Sequence, residues 1–375
     1  IEELMSTVGL TATTVRRYPH QLSGGQRQRA MTALALACNP PLVIADEPTT
    51  ALDVVMQAQV LQLLERLRES LGLALILISH DLGVLAETCD RVAIMNEGKI
   101  VEIGEASQIF GEPKHDYTKK LLSVLPVIGG ERRVAPASSN GGERPLIEVR
   151  DLCVRFPTRE GEARAVDGVS FTVHRGETFG LVGESGSGKS VTARSIMRLI
   201  PDPPGEIPRG RILYEGQDVL KLSDADMRAL RGRSIAMVFQ EPMSALNPVF
   251  TVCAQISDAL CTNLDLSRRE ARERVVELLA LVGIPSPRKR LDSYVHEFSG
   301  GMRQRVMLAM ALSCNPNFLI ADEPTTALDV TIQATILELI TGMIDRFGMS
   351  LIFITHNLGV VAHACDTIGV MYASH

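Results

Sequence analysis

The sequence predicts an α/β fold built as two tandem units, the first of them incomplete, and three observations carry that prediction. A short apolar run, Thr178 to Val182, leads into Gly183-Glu184-Ser185-Gly186-Ser187-Gly188-Lys189-Ser190, which fits the G-x-x-x-x-G-K-[ST] pattern of a phosphate-binding P-loop. Ser23-Gly24-Gly25, Asp46-Glu47 and His80 recur as Ser299-Gly300-Gly301, Asp322-Glu323 and His356, each pair separated by 276 residues. The P-loop occurs once.

Subtracting that offset from the P-loop places its first-unit counterpart at positions −93 to −86, before Ile1. Ile1-Glu2-Glu3-Leu4-Met5 reads as the interior of a helix whose counterpart lies near Val276 to Leu281. Val370-Met371-Tyr372 aligns with Ile94-Met95-Asn96, yet the first unit continues through Gly98-Lys99-Ile100-Val101-Glu102 where the second stops at His375. Both ends are therefore expected to be truncations of a longer protein.

With 375 residues and 45% hydrophobic content, the chain has material for two or three packed domains. No run of about 18 apolar residues occurs and the start lacks a charged-then-apolar leader, so a soluble chain is expected. A net charge of −6 argues against a nucleic-acid binder, which would carry a basic surface. The seven cysteines show no C-x-x-C spacing, and Cys38 with Cys314 and Cys89 with Cys365 recur at the repeat offset. Equivalent positions in separate units read as small buried residues, and a reducing cytoplasmic location follows.

Along the chain, residues 1–125 form the later part of the first unit. Residues 126–145, rich in Pro, Gly and Ser, form a flexible linker, and residues 146–375 form a nearly complete second unit. Leu146 to Phe156 and Val169 to Val173 alternate as strands do, and Thr178 to Val182 is a buried strand ending at Gly183. A helix follows the P-loop and runs through Ser195 and Leu199. Ser267-Arg268-Arg269-Glu270 has capping-box spacing and opens a helix with Ala271, Val275, Leu278, Leu279 and Val282 on one face. Phe318 to Ala321 and Leu351 to Thr355 read as buried parallel strands, each ending in a polar residue, where open α/β sheets gather their ligand sites.

Each motif carries a chemical expectation. Glycines in the P-loop let backbone N–H groups turn around phosphate oxygens, Lys189 reaches the β and γ phosphates, and Ser190 ligates Mg²⁺. Asp322 and Glu323 close a strand whose pleat sends successive side chains to opposite sides, so Asp322 orders the metal shell and Glu323 polarises the attacking water. Asp46 and Glu47 repeat the pair. His356 and His80 sit in near-identical contexts, Ile354-Thr355-His356-Asn357-Leu358-Gly359 and Ile78-Ser79-His80-Asp81-Leu82-Gly83, and are assigned to the γ-phosphate or the attacking water. Ser299-Gly300-Gly301 and Ser23-Gly24-Gly25 each precede a helix whose N-terminus suits an anion.

With these motifs in order, the second unit resembles an ABC-type ATPase domain. That resemblance implies a P-loop NTPase fold of ABC type, with a mixed sheet, a helical subdomain at about 241–300, and ATP and Mg²⁺ as its ligands. Residues 183–190 match Walker A, Gln240 the metal-contacting Q-loop glutamine, Ser299-Gly300-Gly301 the signature, and Asp322-Glu323 Walker B. Ala327-Leu328-Asp329 matches the D-loop, His356 the switch histidine, and Phe156 is the candidate aromatic that stacks on adenine. Tyr18-Pro19-His20-Gln21, Glu241-Pro242-Met243-Ser244-Ala245-Leu246-Asn247-Pro248 and Pro113-Lys114-His115-Asp116-Tyr117-Thr118-Lys119-Lys120-Leu121-Leu122 narrow the resemblance. They are similar to ATPase subunits of oligopeptide, dipeptide, glutathione and nickel importers, and two fused units resemble the glutathione-importer type. Residues 100–145 hold no cysteine, so the iron–sulfur cluster of some relatives is not expected there.

The resemblance implies permease subunits as partners, reached through Glu241 to Val252, and a periplasmic or extracellular solute-binding protein within the complex. It implies a location at the cytoplasmic face of the cell membrane. It also implies pairing of the two units, each nucleotide lying between one Walker A and the other signature. The second unit's Walker A with Ser23, Gly24 and Gly25 would make one complete site, and Asp46, Glu47, His80 and Ser299 would belong to the other. A soluble tandem ATPase acting on ribosomes or DNA is the alternative, although the long charged linkers, zinc-type cysteines and coiled coils of such proteins are lacking. A non-catalytic assembly partner is the third reading, against which Lys189 and Glu323 argue.

Overall fold

The computed structural model describes residues 1–49, 54–123, 144–158, 161–325 and 330–375. The chain separates into two compact units, Ile1–Leu125 with Asp329–Thr331, and Pro126–Leu328 with Ile332–His375. The linker expected at 126–145 lies almost wholly outside the described residues.

In the second unit, five parallel strands are ordered Ile235–Val238, Phe318–Asp322, Ser350–Ile354, Thr178–Gly183 and Thr367–Met371. Their alternation sorts side chains into two cores. Ile235, Met237, Phe179, Leu181, Phe318, Ile320, Ile352 and Ile354 point to one face, against the antiparallel sheet and the helix Lys189–Ile196. Ala236, Val238, Val182, Leu319, Ala321, Leu351 and Phe353 point to the other, against helices. A sheet covered on both faces explains why these strands read as continuous apolar runs.

The antiparallel sheet is ordered Gly161–Val173, Ile147–Thr158, Glu206–Tyr214 and Gln217–Asp218. Parallel and antiparallel pairing thus occupy two separate sheets. Helices Val252–Leu264, Arg268–Leu281 and Gly300–Ala311 pack beside the parallel sheet. Ser267 caps the second of these in a full capping box with Glu270, and Ala271, Val275, Leu278, Leu279 and Val282 are buried as their spacing predicts. The helix after the P-loop is shorter than expected, ending at Ile196.

The first unit holds a two-stranded parallel sheet, Leu42–Asp46 with Ala74–Ile78. The helix near Ile1 spans Glu2–Thr7, and with helices Gly24–Leu36 and Val54–Leu71 it covers one face around Val8, Ala33, Leu36, Leu63 and Leu67. A hairpin of Arg91–Asn96 and Lys99–Glu105 packs with helices Leu82–Thr88, Ala106–Gly111 and Asp116–Ser123. The opposite sheet face, with Leu42, Ile44, Ile76 and Ile78, is exposed.

None of the seven cysteines is in a disulfide, but the shared buried role fails at Cys38. Cys314 is buried in the second unit and Cys38 is exposed in the first, while Cys89 and Cys365 are half-buried. Among the described residues, no helix is long and apolar enough to cross a membrane.

Candidate functional site

Parallel pairing fixes the site before any side chain is considered. Asp322 lies in register with Ile354, Ile354 with Leu181, and Val238 with Ala321, so four strand ends meet at one rim. The P-loop, Gln240, the Asp322-Glu323 pair and His356 each follow one of those ends. Such a carboxyl-end crevice is where an open α/β sheet can gather groups from distant parts of a chain.

The P-loop departs from Thr178–Gly183 and closes onto the helix Lys189–Ile196. Gly183 and Gly188 have φ of 153° and 102°. A Cβ on Gly183 would strike the Met371 carbonyl oxygen, and one on Gly188 the Ala165 carbonyl oxygen. Both positions therefore require glycine for space as well as for backbone conformation. Glu184, Ser185 and Gly186 form the open side of the loop, and Ser187, Gly188 and Lys189 its buried floor. Lys189 Nζ donates to the carbonyl oxygens of Gly183 and Glu184, both at 2.8 Å, which keeps a buried ammonium solvated by the loop itself. Ser187 Oγ is buried without a hydrogen-bond partner.

Ser190 and Asp322 are 132 residues apart in sequence, and the Ser190 hydroxyl donates to Asp322 Oδ1 at 2.8 Å. Burial pushes the Asp322 carboxyl above its ordinary range; the Ser190 hydrogen bond opposes that rise, Glu323 adds to it, and Arg194 and Lys189 oppose it. Arg194 was missed in the sequence, although it lies four residues after Ser190 on the same helix face.

Glu323 does not continue the strand pleat. Its φ is 46°, and its backbone N–H donates to the Ile354 carbonyl oxygen at 3.0 Å. A left-handed kink, costing on the order of 1–3 kcal/mol for a non-glycine residue, therefore sets the direction of this acid relative to Asp322. Glu47 repeats it, with φ of 48° and a 2.9 Å bond to the Ile78 carbonyl oxygen. Gln240 Nε2 donates to Glu323 Oε2 at 2.8 Å, and His356 Nδ1 lies 3.7 Å from Glu323 Oε1. In the first unit His80 Nδ1 lies 2.8 Å from the Glu47 carboxylate, and the His80 backbone N–H also donates to it at 3.1 Å. Asp46 ends its strand as Asp322 does, on a strand with exposed and half-buried positions in place of a fully buried one.

The two Ser-Gly-Gly turns both open helices but are held differently. Ser23 accepts from the Gln26 backbone N–H, and Gln26 returns a bond to Ser23, completing a capping box. Position 302 is Met, which cannot return that bond, and the Ser299 side chain makes no cap. Gly301 lies tightly against Ile332, whose Cγ2 would be 2.7 Å from an added Cβ, and Gly25 faces the Met56 methyl. Gly24 and Gly300 are the first residues of their helices. Phe156 is half-buried against the core beside the antiparallel sheet, its ring 2.7 Å from where a Cβ on Gly205 would lie. The Ala327-Leu328-Asp329 segment lies outside the described residues.

These groups fit a nucleoside triphosphate with a divalent cation. An orphaned buried hydroxyl at Ser187 faces inward, glycines keep the backbone cradle clear, and a hydroxyl–carboxylate pair adjoins the buried ammonium.

A family model described as "ABC transporter" matches residues 1–50 and 166–326, and one described as "Oligopeptide/dipeptide transporter, C-terminal region" matches residues 101–154. The glutathione import ATP-binding protein GsiA of Pectobacterium atrosepticum is 42% identical over 383 residues, covering 95% of this chain and 60% of the relative. GsiA of Escherichia coli strain K12 is 43% identical over 389 residues, covering 96% and 61%. The chain thus spans about three fifths of the length of these curated relatives. Among solved structures, the dimeric bacterial ABC transporter cassette MJ0796 is similar with TM-score 0.55 and 26% identity, covering 61% of this chain and 95% of that one. The cassette cbiO1 of Clostridium perfringens, part of the transporter complex cbiONQ, is similar with TM-score 0.52 and 29% identity, covering 62% and 86%.

Proposed function

The chain belongs to the ABC transporter family, and on that premise we propose that its second unit binds ATP with Mg²⁺ and hydrolyses it to power import of peptide-like solutes, glutathione among them. The observation that carries the reading is the 2.8 Å bond between Ser190 and Asp322, which joins the P-loop to the acid pair at one sheet rim. Similarity to glutathione import proteins and the transporter-type segment at 101–154 support the solute class over action on ribosomes or DNA.

In this reading the P-loop amides and the Ser187 hydroxyl bind phosphate oxygens, and Lys189 exchanges the Gly183 and Glu184 carbonyls for phosphate. Ser190 and Asp322 would hold the cation, with Gln240 as a further candidate contact. The cation supplies charge neutralisation at the phosphates. Glu323 accepts the proton of the attacking water at a carboxylate oxygen, while Gln240 and His356 orient that carboxylate. Phe156 is proposed as the adenine contact. Glu47, His80 and Asp46, and the turns at Ser23 and Ser299, are proposed for the paired arrangement that the motifs predict. Met243, Val249 and Phe250 are exposed apolar residues in the segment proposed to meet permease subunits at the inner membrane face, with a solute-binding protein elsewhere in the assembly.

Nucleotide titration of the 375-residue chain tests the core of this reading. Lys189→Ala should abolish ATP binding, and Glu323→Gln should keep binding while stopping hydrolysis. Unchanged binding by Lys189→Ala would overturn the assignment. Loss of glutathione or peptide uptake in cells carrying the full-length Glu323→Gln protein, with permease levels unchanged, tests the transport role.

A further inference from the structure

In the second unit, a turn from Asn247 to Phe250 leads from the short helix Pro242–Ala245 into the helix Val252–Leu264. Its apolar side chains point outward, Val249 being 70% exposed and Phe250 53%. An exposed turn ordinarily leaves its backbone N–H groups to water. Here they are used within the protein. The Asn247 N–H donates to Gln255 Oε1 at 2.8 Å, the Val249 N–H to Asn247 Oδ1 at 3.1 Å and the Phe250 N–H to the Asn247 carbonyl oxygen at 3.4 Å, while Pro248 has none to offer.

Gln255 closes this arrangement from the first turn of the following helix. Its Nε2 donates at 3.0 Å to the carbonyl oxygens of both Asn247 and Phe250, and its Oε1 accepts from Asn247, so one half-buried side chain ties the two ends of the turn with three bonds. The helix start is saturated as well. The N–H groups of Val252 and Cys253 donate to the Ser293 and Leu291 carbonyl oxygens at 3.0 and 2.9 Å, and that of Ala254 to Thr251 Oγ1 at 3.3 Å. Those are the donors with which a helix N-terminus would otherwise attract an anion. What the turn presents is therefore apolar side chains on a backbone that needs no water, which suits packing against the apolar face of a partner helix.

We propose that Gln255 is a positioning residue for the permease contact: it sets the Asn247–Phe250 turn in its docking conformation before a permease helix arrives. A turn ordered in advance loses little conformational freedom on docking, and backbone groups already paired have no hydration to give up. Val249 and Phe250 can then be buried without stranding a donor beneath them. The proposal rests on the reading that residues 241–252 meet the permease subunits. Its effect belongs to docking and not to hydrolysis, because the three bonds of Gln255 all go to the turn and none to the P-loop, the Asp322-Glu323 pair or His356.

Titration of the full-length protein with its permease subunits in lipid nanodiscs, read as ATP turnover, tests the proposal. Gln255→Met keeps side-chain length and helix propensity while removing all three bonds. It should raise the permease concentration for half-maximal stimulation by about tenfold and leave the maximal rate within about twofold, as loss of preorganisation does. In the 375-residue chain the same variant should keep ATP affinity and speed amide exchange at Asn247, Val249 and Phe250 by about tenfold. Gln255→Glu retains the acceptor for Asn247 but neither donor, and should give an intermediate shift in half-saturation. Phe250→Lys probes the underlying contact and should weaken docking more than Gln255→Met does. Unchanged half-saturation with Phe250→Lys would overturn the permease reading of residues 241–252, and the proposal with it. Weakening by Phe250→Lys with no shift in Gln255→Met would overturn the role of Gln255 alone. A fall in maximal rate or ATP affinity with Gln255→Met would also overturn it, by showing that the residue supports the fold at large.

Discussion

Leu42-Val43-Ile44-Ala45-Asp46 and Phe318-Leu319-Ile320-Ala321-Asp322 are one strand written twice, and the molecule treats them differently. Ile320 is 0% exposed and Ile44, its repeat partner, is 62% exposed. The second unit covers that face with the antiparallel sheet and the helix Lys189–Ile196; among the described residues of the first, no equivalent layer covers Ile44 and Ile76. Burying each such side chain is worth about 1.5–3 kcal/mol, a contribution made at Ile320 and not supplied to Ile44 by the described residues. Local backbone geometry nevertheless survives the difference. Glu47 and Glu323 share the left-handed kink and the same carbonyl partner, which shows that the strand-end turn depends on its two adjoining strands and not on the covering layer.

The comparison makes its largest prediction at those glutamates. Glu323→Gln should lower ATP turnover by about 10²- to 10⁴-fold, the contribution of a positioned general base. Glu47→Gln in the same chain should leave turnover unchanged, because its unit holds no P-loop within these residues. Comparable losses from both substitutions, in steady-state phosphate release, would break the functional asymmetry.

Packing supplies the next test. Ile320→Ala should cost the second unit about 2–5 kcal/mol in urea unfolding followed by hydrogen exchange, as a core truncation does. Ile44→Ala should change the first unit by no more than about 0.5 kcal/mol, as a surface change does. At the signature turns, Gly301→Ala pushes on the branched Ile332 and should cost about 1–3 kcal/mol. Gly25→Ala meets only the mobile terminal methyl of Met56 and should cost less in the same assay.

The smallest effect concerns the segment that follows the hairpin of the first unit. Glu102 accepts from the backbone N–H groups of Lys114 and His115 at 2.9 and 3.0 Å. Proximity of the Thr118 hydroxyl, whose oxygen makes no hydrogen bond of good geometry, and the two amides that do bond lower its carboxyl to about 2, against an ordinary 4.5. A depressed carboxylate stabilises the fold fully above its unfolded value and stops doing so as pH falls through the folded one. Amide protection at Lys114 and His115 should therefore weaken between pH 4.5 and about 2, and Glu102→Gln should reduce it several-fold at neutral pH.

Much of the second unit's site was legible because P-loop spacing and apolar strands ending in polar residues are local patterns. Four features were not. The direction of Glu323 was assigned to pleat alternation, whereas a backbone kink sets it. Arg194 joins the site only because its helix begins at the P-loop. Cys38 matches Cys314 in sequence but not in burial. The Ser23 and Ser299 turns look alike, yet Gln26 completes a cap that Met302 cannot.

By itself, the sequence determined the repeat, the P-loop, the order of the strands' polar ends and the family they indicate, because each depends on residues near one another in the chain. Only the tertiary structure decided which copy of a strand is buried and that Ser190 meets Asp322. Those outcomes depend on what covers a sheet and on which strands pair, and both are supplied by residues far away in the chain.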